Sequence, residues 1–217
     1  MEFQYLTVGK EARSEQIIEK SRFIATVRPV STREEAEAFF AEVRREFRDA
    51  THNVPAMVIG EKMQVQWGSD DGEPQGTSGA PIVQMLVNRG ITNVAIVVTR
   101  YFGGVKLGTG GLVRAYTSSA ERVLSEAGTA AAVPFTMSRV ETDYAIYNKI
   151  MNYRFPDEFK SMAIENAEFA ERVSFNISST REIYERIKNL LTEISGGNIV
   201  FSESEEVIRL LVLEGSE

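Results

Sequence analysis

Residues Asn93 to Val98 read NVAIVV, an apolar run without alternation, and the chain then passes through Thr99, Arg100 and Tyr101 into FGGVKLGTGG. A run of this kind suits a strand covered on both faces, because a half-exposed strand would alternate apolar and polar residues. Directly after the glycines, Leu112, Tyr116, Ala120, Val123 and Ala127 recur at helical spacing, and Gly128 supplies a stop. Five glycines in ten residues therefore stand at a strand-to-helix junction. A strand that needs cover on both faces and feeds a helix directly points to a layered α+β domain.

The flanking segments fit such a domain. SRFIATVRPV, residues 21 to 30, is rich in β-branched and aromatic residues and reads as a strand. Thr32 and Glu35 form a capping box for a helix whose apolar positions are Ala36, Phe39 or Phe40, Val43 and Phe47, with Arg44, Arg45 and Arg48 on a solvated face. Residues 53 to 60 and 63 to 67 read as short strands around a turn at Gly60. The loop SDDGEPQGTSG follows, and then a helix capped by Ser78 with Pro81 in its first turn. GTAAAVP, residues 128 to 134, is small, uncharged and ends in proline, so it reads as a linker.

The expected domains are thus 1–132 and 133–217. In the second, the pattern is a strand from Phe135 to Ala145, a helix near Tyr147 to Tyr153, and strands near residues 160–164 and 170–177. A helix with a Ser179–Glu182 capping box and a Gly196-Gly197 stop comes next, and residues 198–213 form a closing strand or hairpin. The order βαββαβ is that of a ferredoxin-like sandwich. Charge separates the halves: residues 1–132 carry 15 basic and 16 acidic side chains, the remainder 9 and 15. The acidic second half disfavours a bulk grip on phosphate backbones, so a nucleic-acid site is sought as a local patch in the first. The chain has no cysteine, which excludes disulfides and thiolate chemistry. Its start contains no signal-like apolar core and no stretch is long enough to span a membrane, so a soluble, cytoplasmic protein is expected.

Four constellations can carry chemistry. Asp70, Asp71 and Glu73, with Thr77 and Ser78 close behind, offer oxygens to a hard cation such as magnesium, although a DG turn followed by EP explains the same residues structurally. Gly103, Gly104, Gly108, Gly110 and Gly111, with Lys106 and Thr109, place backbone N–H groups where an anion can approach; close strand-to-helix packing is the alternative. The segment partly matches a P-loop but has GxxxxGT where GxxxxGK[ST] is needed, which argues against nucleotide hydrolysis. His52, the single histidine, can be a general base for Asp70 or Asp71 and Ser78, or a hydrogen-bonded structural residue. Arg100, Tyr101 and Phe102, with Lys106 and Arg114 nearby, can stack bases and hold phosphates; equally, the aromatics can cap the core and Arg100 can pair with Asp70 or Asp71.

DATHNVPAM, SDDGEPQGTSGAPI and VVTRYFGGVKLGTGGLVRAY together resemble the amino-terminal domain of the IMPACT family, with the likeness running from about Ser21 to Gly128. The resemblance implies a first domain similar to the second domain of a small-subunit ribosomal protein. The second half is similar to the last domain of elongation factor G. It also implies an association with translation, through RNA, the ribosome or a translation-associated protein, and brings no established catalytic residue. Members usually show a His-x-Cys-Tyr-Ala type stretch; here His52-Asn53-Val54-Pro55-Ala56 lacks the thiol and the aromatic.

The leading expectation is a binding protein rather than an enzyme, with no cofactor, no metal and no membrane partner. Its surface would be built from His52, the loop from Asp70 to Ser78, Arg100 to Gly104, Lys106 to Gly111 and Arg114. The rival expectation is a metal-assisted hydrolase or phosphoryl-transfer enzyme in which Asp70, Asp71 and Glu73 hold a divalent ion beside His52.

Overall fold

The structure is a computed structural model that describes residues 3–213. Its strands are β1 Tyr5–Val8, β2 Ala12–Ile18, β3 Ser21–Pro29, β4 His52–Ile59, β5 Val65–Gly68, β6 Val94–Tyr101, β7 Thr129–Thr142, β8 Ala163–Phe169, β9 Val173–Thr180, β10 Val200–Phe201 and β11 Glu205–Val212. Its α-helices are α1 Arg33–Glu46, α2 Gly79–Asn88, α3 Gly108–Ala127, α4 Tyr144–Met151 and α5 Arg181–Ser195, and a single 3-10 turn spans Asp157–Phe159. The fold is α+β, and its paired strands run antiparallel.

The chain divides into two compact units. Among the described residues, Val133–Arg209 make one, and residues 3–132, rejoined by residues 210–213, make the other. The division falls within GTAAAVP, but the segment is a strand and not a loop. Thr129 to Ala132 pair with β1 as the start of β7, and Ala130 to Val133 are buried. Small uncharged residues satisfy a loop and a tightly covered strand equally well, and the partner strand β1 is only four residues long.

In the first unit the strand order is β2-β3-β6-β4-β5. β6 lies at the centre and its residues Val94 to Arg100 are buried, as the unbroken apolar run requires. Val94, Ile96 and Val98 join Val54, Ala56, Val58 and Phe23 in the core beneath α2 and α3. Ala95 and Val97 join Met57, Ile59, Phe39 and Val43 beneath α1 on the other face. Alternate side chains of one strand thus serve two separate cores, each buried aliphatic group contributing about 1.5–3 kcal/mol. Thr32 caps α1 by accepting the Glu35 N–H at 3.2 Å, while the Glu35 carboxylate accepts from the Ser31 N–H, one residue earlier than a standard box.

In the second unit β9 lies between β7 and β8, and β10 and β11 pair with β7. Tyr184, Ile187, Leu191 and Ile194 of α5 pack on Val140, Phe175 and Ile177. The Ser179–Glu182 capping box does not form: Thr180 occupies the cap position without a side-chain hydrogen bond, and Ser179 is buried within β9. The helix ends at Gly196 in the left-handed region, φ +61°, as the Gly196-Gly197 stop requires.

Candidate functional site

Arg100 leaves the sheet on the face covered by α2 and α3, with His52 and Phe23 as its register partners on the two neighbouring strands. The loop from Ser69 to Ser78 folds back over this end of the sheet, held by its own acidic residues. Asp70 caps α2: its carboxylate accepts from the N–H groups of Gly76, Ser78 and Gly79 at 2.7, 3.1 and 3.0 Å and from the Ser78 hydroxyl at 2.8 Å. Ser78 stands at the cap position but spends its hydroxyl on Asp70. Thr77 is buried and donates to the Pro74 carbonyl at 2.6 Å. Asp71 accepts from the Asn53 N–H at 2.6 Å and from Arg44 at 2.9 Å, and Arg44 stays exposed on the solvated helix face expected of it.

Burial alone would raise the Asp70 carboxyl pKa, but the hydrogen bonds from Gly76, Ser78 and Gly79 hold it below its ordinary 3.8. A depressed carboxylate stabilises the fold above the unfolded-state value, and that stability is lost as pH falls through the lowered value. Asp70→Ala is expected to cost about 2 kcal/mol at neutral pH. The gap from the wild type should begin to narrow as the pH drops below 3.8 and narrow further through the lowered value, where folded Asp70 loses its charge. Urea unfolding at pH 7 and pH 3 measures this; a gap that is constant with pH would contradict it.

Glu73, only 9% exposed, is the centre of a buried network. One of its oxygens accepts from Arg100 Nη1 at 2.6 Å and from the Tyr116 hydroxyl at 2.8 Å, with His52 Nε2 3.8 Å away. Burial and the neighbouring Glu73 carboxylate both push the Tyr116 phenol well above its ordinary value, so it stays a neutral donor. His52 Nδ1 lies 2.7 Å from the Asp71 carbonyl; a carbonyl only accepts, so this nitrogen carries hydrogen. Arg100 reaches Ser21 Oγ at 3.3 Å and lies between the rings of Phe23 and Phe102, each 5.4 Å from its guanidinium carbon. Its buried Nε–H has no acceptor among the described residues. The expected partner of Arg100 was Asp70 or Asp71; it is Glu73, because those two aspartates are already engaged in shaping the loop.

The glycine junction has two kinds of member. Gly103 packs against the turn between β2 and β3, where a Cβ would lie 1.9 Å from the Lys20 carbonyl oxygen. Gly108 enters α3 at φ +69°, and Gly104 lies exposed in the turn before it. Gly110 faces open space apart from Arg114 at 3.6 Å, and Gly111 meets Leu107. Helix α3 has Leu107 at its cap position, no side-chain cap and no acidic residue in its first turn. Its leading N–H groups open beside a cleft of about 350 Å³ lined by Glu73, Arg100, Phe102 and Leu112 together with Lys106, Gly108 and Thr109. Lys106 also borders a neighbouring cleft of about 470 Å³ with Gly111 and Arg114. Tyr101 is not part of this cluster: it follows Arg100 by one residue, so it points to the α1 side, where its hydroxyl donates to Asp49 at 3.0 Å.

These placements give the metal-hydrolase reading no support. Asp70, Asp71 and Glu73 each face a different set of N–H, guanidinium or hydroxyl donors, and no group of three or more His, Asp or Glu among the described residues is arranged to hold a metal ion. Ser78 bonds to Asp70 and His52 to Asp71, so the expected base and nucleophile have separate partners. Sequence reasoning missed Tyr116, whose signal was a hydroxyl within an otherwise apolar helix stripe. It also missed a larger cleft, about 560 Å³, lined by Phe40, Arg44, Asn53, Pro55 and Trp67 on the α1 side. In that cleft Arg44 is paired with Asp71 and Asn53 is bonded to Phe47 and Thr99, while Arg45 also lines it.

Residues 19–124, which contain the Glu73 network and the α3 junction, match the Impact N-terminal domain. IMPACT family member YvyE of Bacillus subtilis is 36% identical over 201 residues, covering 93% of this chain and 91% of that one. The chain belongs to the IMPACT family. A Haemophilus influenzae IMPACT family member is 32% identical over 199 residues, covering 91% of this chain and 95% of its own. A crystal structure of a hypothetical protein, 29% identical, covers 97% of both chains with a TM-score of 0.58. The IMPACT-family protein has, among its described residues, no helix long and apolar enough to cross a membrane.

Proposed function

We propose that this IMPACT-family protein acts in translation, in the cytoplasm, by binding RNA through the surface around the start of α3. The observation that carries this reading is the uncapped N-terminus of α3 beside the exposed ring of Phe102 and the exposed cations Lys106 and Arg114. Stacked aromatics beside backbone N–H groups and cations are how single strands are held without reading their sequence. Family membership supports the link to translation. The residues from His52 through the Asp70–Ser78 loop to Arg100 support the surface from beneath, Glu73 fixing Arg100 and thereby Phe102.

The two units are proposed to fold as separate domains, divided at Ala132. For the first, likeness to the second domain of a small-subunit ribosomal protein is part of the same proposal. For the second, the order of its elements and the strand order with β9 between β7 and β8 support a ferredoxin-like sandwich akin to the last domain of elongation factor G.

Co-sedimentation with ribosomes and subunits across a salt series tests the function. Reversing Lys106 and Arg114 to Glu is expected to weaken binding about tenfold or more and to lower the salt slope by about 1 for each phosphate no longer neutralised. Equal binding of wild type and the double reversal at matched salt would remove this surface from consideration. Binding that ignores salt and survives nuclease treatment would point to a protein partner instead.

A further inference from the structure

The cleft of about 560 Å³ on the α1 side is a separate surface from the start of α3, since α1 and α3 cover opposite faces of the same sheet. Its floor is apolar, made by Pro55 of β4 and Val97 of β6, with Phe40 and Ala41 of α1 and Trp67 of β5 around it. The rings of Phe40 and Trp67 lie 5.9 Å apart. An indole left 38% exposed beside an apolar floor still has area to bury, and Trp and Arg are the side chains that most often anchor a docked partner. The charges at the cleft differ in what they already hold. Glu37 is paired with Arg33, and Arg44 with Asp71. Arg13 of β2 and Arg28 of β3 meet Glu46 and Glu42 of α1. Arg45, exposed in the last turn of α1, has no ion pair or hydrogen bond among the described residues.

We infer that this cleft docks a short segment of a partner protein in which an aliphatic or aromatic side chain is followed by acidic residues. The apolar side chain covers Pro55, Val97 and Trp67, and the acidic residues meet Arg45 and the exposed guanidinium of Arg44. Charge and shape select this occupant over RNA. A run of phosphates is neutralised by a row of cations, whereas here Arg45 alone of the lining cations is uncommitted and the Glu37 carboxylate lines the same cleft. A peptide needs only one or two carboxylates beside its apolar anchor. A volume of about 560 Å³ takes one or two large side chains, the scale of an anchor pocket within a docking surface.

The test uses the full chain, whose single tryptophan lines the cleft, so that its fluorescence reports occupancy. Phage-displayed random dodecapeptides are selected on the wild type after depletion on Ala41→Tyr. This variant sets a ring at the cleft from an exposed position of α1, and its urea midpoint should match the wild type. Selected peptides should share an apolar residue followed by Asp or Glu and shift the Trp67 emission. Arg45→Glu, also at an exposed lining position, should bind them about tenfold more weakly. Selected peptides without acidic residues, or ones that Arg45→Glu binds equally at matched salt, would overturn the inference. So would a failure to recover any peptide that distinguishes the wild type from Ala41→Tyr. Trp67 emission shifted by an octauridylate and by no selected peptide would give the cleft to RNA and overturn it. A shift that follows protein concentration alone, with a dimer in sedimentation, would give the cleft to a second copy of this chain and overturn it likewise.

Discussion

Glu73→Ala is expected to destabilise the first unit by about 3–5 kcal/mol, because it leaves the Arg100 guanidinium buried without its carboxylate. Arg100 and Glu73 are 5% and 9% exposed, so water entering from the cleft they line replaces only part of what the carboxylate supplies. The Tyr116 hydroxyl, wholly buried, would lose its acceptor as well. Against a typical total stability of about 5–15 kcal/mol, such a loss leaves little margin. Trp67 is the chain's single tryptophan and lies on β5, so its fluorescence during urea unfolding reports this unit selectively.

Two further variants separate charge from packing. Glu73→Gln keeps an oxygen for Arg100 and Tyr116 while removing the charge, and should lose clearly less than the alanine. Combining Glu73→Ala with Arg100→Met removes both charges and should recover part of the loss, since replacing a buried pair by apolar groups is often near neutral. A double variant as unstable as the sum of its single changes would show that the pair does not act as a unit.

Much of this region was legible in the sequence because the signals were local. The Thr32–Glu35 cap, the apolar run of β6 and the stripe of α3 each declare themselves within one turn or one strand. β2 did not, and its inward face explains why: Ser14 and Gln16 lie between Ala12 and Ile18, and Gln16 is satisfied by the hydroxyls of Ser118 and Ser119 on α3. A strand that buries polar residues against a partner a hundred positions away has no apolar alternation to read. The pairing of Arg100 failed for a related reason. All three acidic residues of the loop were visible, but only the fold decides that Asp70 turns to α2, Asp71 to β4 and Glu73 inward. The Ser179–Glu182 cap was a chance spacing, since Ser179 is consumed as a strand residue of β9.

The glycines of the junction look alike in sequence, and their substitution should divide them. Gly103→Ala is expected to cost about 3 kcal/mol, at the upper end of overpacking, because the new Cβ would lie 1.9 Å from the Lys20 oxygen and 2.6 Å from the Ser21 nitrogen. Those atoms belong to a tight turn in which Glu19 and Lys20 already hold φ of 46° and 66°, so the backbone has little room to retreat. Any shift would also pull on Ser21 Oγ, which accepts from both Gly103 N–H and Arg100. Gly110→Ala meets open space within a helix and should stabilise by a few tenths to about 1 kcal/mol through lower chain entropy in the unfolded state. Urea midpoints followed by Trp67 fluorescence measure both. A neutral Gly103→Ala would mean that the turn yields and that close packing does not explain this glycine. If Gly110→Ala stabilises as expected, the bare backbone at that position is not required by the fold, in contrast to the one at Gly103.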